Sequence, residues 1–160
     1  MIDEATFVRE AEAMLPGLYR LSLSILRAQA DAQDAVQQGM LRAWERRAQA
    51  REATLRGWMT RIVINECRNI QRRRMRVVPA ERMPERAAPN PGEALFPLRE
   101  AIGSMPEKLR TPLLMRCMEG YSEKEIAVAL GVPVTTVKSR IFRGKKWLRE
   151  QFGRSEVTFE

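Results

Sequence analysis

The sequence predicts an all-α protein: two small helical domains joined by a proline-rich linker. Three observations lead there. Ala, Arg, Glu, Leu and Met, which favour helix, dominate the 160 residues, while aromatics make up 6% and runs of β-branched residues are scarce. Apolar residues recur at three- and four-residue steps along most of the chain. Pro79, Pro84, Pro89, Pro91 and Pro97 crowd into residues 75–97. Proline removes a backbone donor and biases its predecessor away from helix, so this stretch reads as an extended connector. The resulting division is a first domain over 1–75, a linker over 76–93, a second domain over 94–153 and a tail over 154–160.

The first helix is expected over about 5–28, with Leu15, Leu18, Ser22, Ile25 and Leu26 at helical spacing and Pro16 restarting or kinking it. Asp31 reads as the N-cap of a second helix, about 32–47, with Asp34 in its first turn and Val36, Met40 and Trp44 four residues apart. Thr54 reads as the N-cap of a third helix to about residue 74. On that helix Leu55, Trp58, Met59, Ile62, Val63 and Ile70 fall within about 140° of arc, whereas Arg61, Asn65, Arg68 and Arg72 cluster within about 60° on another face. Glu66 points to the apolar side, where the sequence shows no partner for it.

Past the linker, Leu95, Leu98, Ile102 and Met105 mark a short helix. Pro106 suits the first position of a helix over 106–119 that Gly120 stops and Pro112 should kink. Ser122 and Glu125 form a capping box for a helix to Leu130, which Gly131 ends. Thr135 or a neighbour then opens a last helix to about Phe152.

The charge of +8 is unevenly placed: residues 51–76 carry +6 and residues 135–160 carry +4, with the rest near neutral. Two separated basic segments point to a polyanionic partner, nucleic acid above all. The third helix ends in Arg72, Arg73, Arg74 and Arg76 with almost no interleaved acid, and like charges in such a row repel unless an anion is present. Histidine is absent, which removes Ser-His-Asp and Cys-His catalysis and most zinc sites. No metal, cofactor or enzymatic activity is expected. Cys67 and Cys117 form no CxxC unit, sit within apolar helical patterns and read as buried reduced thiols of a cytoplasmic protein. The opening MIDEATFVREAE is acidic and unlike a secretory signal, and no run approaches the ~18 apolar residues of a membrane span. No direct insertion in a membrane is expected.

YSEKEIAVALGVPVTTVKSRIFRGKKWLRE follows helix-turn-helix grammar. Small Ala127 lets two helices cross, Gly131 supplies the turn, and Ile126, Leu130, Val132 and Val137 form the shared core. The last helix packs through Val137, Ile141, Gly144 and Leu148. Its opposite face presents Thr135, Ser139, Phe142, Arg143 and Lys146, with Lys138 and Arg140 on the flanks. Hydroxyl and cationic side chains so placed suit base edges and phosphates in a major groove.

Three segments in order resemble the extracytoplasmic-function sigma factors, the bacterial sigma branch that keeps only regions 2 and 4. They are DAQDAVQQGMLRAWERR over 31–47, RGWMTRIVINECRNIQRRR over 56–74, and the stretch from SMPEKLR at 104 to Glu150. Gln38 replaces the family's usual Glu, Met40 its Phe and Asn69 its Asp. The resemblance implies that Asp31, Asp34, Gln37, Gln38, Leu41 and Trp44 bind the RNA polymerase core. It implies that Arg61, Asn65, Arg68, Asn69, Arg72 and Arg73 meet the −10 element of promoter DNA, and that the loop at about 47–53 captures an unstacked base. It assigns the last helix to the −35 element, through Thr135, Thr136, Lys138, Ser139, Arg140, Arg143 and Lys146. It also implies an inhibitory anti-sigma partner, tethered to the membrane. The rival expectation is a helix-turn-helix regulator without sigma activity, for which a segment like 31–47 has no use.

Overall fold

The computed structural model describes residues 2–77 and 97–152. The expected linker, Leu95 and the tail therefore lie mostly or wholly outside the described residues. Among the described residues seven α-helices follow one another: α1 (Glu4–Leu26), α2 (Gln29–Glu45), α3 (Leu55–Val77), α4 (Pro97–Ser104), α5 (Glu107–Cys117), α6 (Glu123–Leu130) and α7 (Val134–Phe152). The described residues contain no strand.

Local chemistry sets most helix ends. Asp3 caps α1, its carboxylate accepting from the Thr6 N–H at 2.8 Å, and Arg27 closes the helix in the left-handed region at φ 59°. The chain stays helical through Pro16, so α1 is one element, and Leu15 is exposed while Phe7, Ala11, Leu18 and Leu21 face inward. Asp31 is not an N-cap: α2 begins two residues earlier, with Ala28 at the cap and no side-chain bond. Thr54 ends a short 3₁₀ turn, Glu52–Thr54, which runs straight into α3 because Leu55 is already helical. Pro106 stands at the N-cap of α5, one position before the place expected, since its extended ψ of 137° keeps it outside the helix. The capping box is present as read: Ser122 Oγ accepts from the Glu125 N–H at 3.0 Å, and Glu125 Oε1 accepts from the Ser122 N–H at 2.8 Å. Gly131 ends α6 at φ 67°, a left-handed conformation that a side chain would strain.

Two buried clusters hold the helices. One lies wholly in the N-terminal part, with Phe7, Leu18, Val36, Leu55, Met59 and Val63 among its members. The second crosses the expected domain division, joining Leu21, Ile25, Ile64, Cys67 and Ile70 to Met105, Leu113, Tyr121, Ile126 and Leu148. Residues far apart in sequence thus share one apolar interior, the dominant favourable term in folding. Two glycines make the crossings possible. A Cβ on Gly39 would lie 2.6 Å from Val63 Cγ2, where α2 meets α3, and one on Gly57 would lie 2.9 Å from the Glu125 carbonyl oxygen, where α6 crosses α3.

Glu66, which had no partner in the sequence, forms an ion pair with Arg42 of α2. Of the two cysteines expected to be buried, Cys67 is and Cys117 is exposed. Cys117 falls in the last turn of α5, at the edge of the packed helices. Burial pushes the Cys67 thiol up to about 11.

Candidate nucleic-acid interface

α3 lies between α1 and α2 on one side and α6 on the other, so little of its circumference meets solvent. What remains open is the stripe Arg61, Asn65, Arg68 and Arg72, all exposed, with Asn69 half-buried beside it and hydrogen-bonded to Arg72. The spacing read from the sequence therefore yields a continuous cationic edge. Two arginines of the row beyond it are compensated after all. Arg74 pairs with Asp31 of α2, its Nε donating at 3.0 Å, and its Nη1 donates to the Leu26 carbonyl at 2.9 Å, where α1 ends. Arg73 lies 3.9 Å from Asp34. The counter-charges come from another helix, which is why the sequence around 72–76 shows none.

The candidate polymerase-binding residues separate into two groups. Asp31 and Asp34 are half-buried and turned toward those arginines, whereas Gln37, Gln38, Leu41 and Trp44 are exposed along α2. Leu41 is 56% exposed. Trp44 packs against Phe7 at a tilt of 59°, ring centroids 5.9 Å apart, and is covered by the Arg47 guanidinium at 4.0 Å. A half-exposed tryptophan is an anchor of the kind found at protein interfaces, and the exposed Leu41 lies one turn before it. The loop at 47–53 consists of two 3₁₀ turns around the buried Ala50, which leaves Arg46, Gln49 and Arg51 exposed.

α7 is simpler. Val137, Ile141, Gly144 and Leu148 are buried against α5 and α6. Thr135, Lys138, Ser139, Phe142, Arg143 and Lys146 are exposed on the other face, while Thr136 and Arg140 are half-buried. Phe142, 65% exposed, is a large apolar group in the middle of this polar face and suits a thymine methyl.

The two basic helices are brought together by a built seam. Tyr121, buried at the start of the helix-turn-helix, shares a 2.8 Å hydrogen bond with Thr60 of α3. Arg56 lies 3.8 Å over the Tyr121 ring and donates to the Glu119 carbonyl at 2.5 Å. Arg20 of α1 grips the Glu119 carboxylate with two bonds of 2.7 and 2.8 Å. Buried Arg110 donates to the Ser24 carbonyl at 2.9 Å. Arg61 leans over the turn at Gly131, whose Cβ position is 3.4 Å from the guanidinium. None of these contacts was foreseeable from periodicity, because each joins residues more than 60 positions apart.

A helix-turn-helix with an open cationic face, joined to a bundle with a second cationic edge, defines a DNA-binding protein. Sequence comparison sharpens that class. The Sigma-70 region 2 model matches residues 11–77 and the Sigma-70 region 4 model matches residues 95–148. The ECF RNA polymerase sigma factor SigM of Mycobacterium tuberculosis strain H37Rv is 32% identical over 140 residues, covering 85% of this chain and 71% of that protein. SigE of Mycolicibacterium smegmatis is also 32% identical, over 83% of this chain, which spans only 56% of that protein. The chain belongs to the sigma-70 family, in the extracytoplasmic-function branch of promoter-directing sigma factors. Among solved structures, the sigma factor RpoE in complex with the anti-sigma factor NepR from Bartonella quintana superposes with a TM-score of 0.76 at 22% identity, covering 95% of this chain and 99% of that one. CnrH in complex with the cytosolic domain of CnrY gives 0.70 at 21% identity, covering 96% and 92%. Both share the fold. No described helix is long and apolar enough to cross a membrane.

Proposed function

We propose that this chain works in the cytoplasm by binding the RNA polymerase core through the exposed face of α2 and directing it to promoters. α3 contacts the −10 element through its exposed stripe, and α7 reads the −35 element. The carrying observation is that one chain joins two unrelated surfaces: a cationic helix-turn-helix face, and an α2 face of Gln37, Gln38, Leu41 and Trp44 that bears no net positive charge. A DNA-only regulator has no use for the second. Solved relatives complexed with the anti-sigma factor NepR and with the cytosolic domain of CnrY support a similar inhibitory protein here.

The test is transcription in vitro with purified core enzyme. A specific transcript should depend on this chain. Leu41→Ala with Gln37→Ala should weaken core binding at least tenfold while circular dichroism stays unchanged. Asp34→Lys should act less on core affinity, because Asp34 is turned toward Arg73. DNA binding that core polymerase does not alter would identify a helix-turn-helix regulator instead.

A further inference from the structure

A pocket of about 370 Å³ indents the seam, walled by α1, α3, α5, α6 and α7. Arg68 of α3, Lys108 of α5 and Arg140 of α7 all line it. None of the three makes an ion pair with an acid among the described residues, although other arginines of the chain find one. The one carboxylate on the wall, Glu107, is occupied by Gln71, which donates to it at 2.7 Å. Lys108 stands in the first turn of α5 and Thr111 in the next, and the buried Thr111 hydroxyl has no hydrogen-bond partner among the described residues. The floor is apolar, with Ile64, Leu130 and Val132.

Three cations and a single carboxylate on one wall leave it net positive, which favours an anion there. The N-terminal end of α5 adds a dipole of the same preference, although its Leu109 and Arg110 N–H groups already donate to the Pro106 carbonyl. Guanidinium groups pair with phosphate through parallel hydrogen bonds, and a phosphate can serve several cations at once. The cavity volume lies in the range of small-molecule sites, and an apolar floor with few polar groups suits the flat face of a heterocycle.

We propose that this cavity binds a small phosphate-bearing ligand, a nucleoside phosphate, with its phosphate between Arg68, Lys108 and Arg140 and its base on the Ile64–Leu130 floor. Bound there, the ligand holds the seam closed and withdraws Arg68 and Arg140 from DNA. That second consequence rests on the DNA-binding roles proposed above; the binding site does not.

Calorimetry and thermal unfolding of the full chain test the site without DNA. The probes are adenosine and guanosine mono-, di- and triphosphates, with inorganic phosphate and pyrophosphate as separate arms. At least one nucleotide should bind saturably and raise the melting temperature. Lys108→Gln should weaken it at least tenfold, and Arg9→Gln, exposed on α1, should not. Inorganic phosphate binding as tightly as every nucleotide would remove the role of the floor. Absence of saturable nucleotide binding at millimolar concentration, or equal binding by Lys108→Gln, would overturn the site. In a separate arm, the nucleotide should reduce promoter binding by wild type and spare Lys108→Gln. Nucleotide binding without that reduction rejects the closure and leaves the site.

Discussion

α3 and α7 carry similar charge and do different work with it. α7 packs on one side only, so its basic and hydroxyl residues from Thr135 to Lys146 remain largely open. α3 is covered by α1, α2 and α6, and its arginines are partly spent inside the molecule: Arg56 on Tyr121, and Arg74 on Asp31 and the end of α1. A count of arginines therefore overstates the cationic surface of α3, and the burial of each guanidinium decides its role. This also bears on the polymerase-binding residues, because Asp31 and Asp34 neutralise α3 as well as decorating α2.

The largest expected effect is on stability. Arg74→Ala removes charge-assisted bonds from a partly buried side chain and should cost about 1.5–3 kcal/mol, whereas exposed Arg72→Ala should stay within about 0.5 kcal/mol. Urea unfolding of the two variants measures the contrast, and equal losses would break the distinction between internal and open arginines.

Next comes selectivity. Arg143→Ala on α7 should discriminate among −35 variants by about 1–3 kcal/mol if it makes a bidentate base contact. Arg72→Ala on α3 should weaken most promoters alike and lower the salt slope by roughly 0.7–0.9. Titration of holoenzyme on variant promoters at several salt concentrations separates them. A change in −35 preference from Arg72→Ala would show that the two helices do not divide the work.

A third contrast is the response to alkali. Because burial holds the Cys67 proton more tightly in the folded chain, from an ordinary 9.0 up to about 11, the folded state binds more protons than the unfolded state between those values. Stability should then fall as pH rises from about 9 to 11, with a limiting slope of about 1.4 kcal/mol per pH unit for one proton. Tyr121, raised by burial and only partly offset by its bond to Thr60, adds a slope of the same sign. Cys67→Ala should flatten the curve and exposed Cys117→Ala should not, as measured by denaturant unfolding across that range.

The sequence by itself determined the helices, the stop at Gly131, the capping box of Ser122 and Glu125, and the open faces of α3 and α7. These depend on residues within one or two turns of each other, where side-chain spacing and backbone preference act directly. The order of three segments was enough to reach the family. Only the tertiary structure decided the rest. Asp31 looked like a cap and is a partner for Arg74; Glu66 looked misplaced and meets Arg42; Cys117 looked buried and is not. The seam through Arg20, Thr60, Glu119 and Tyr121 left no trace in any local pattern. The physical reason is the same in each case. Burial and electrostatic partnership depend on which helix lies across from a residue, and periodicity shows which way a side chain points but not what it meets.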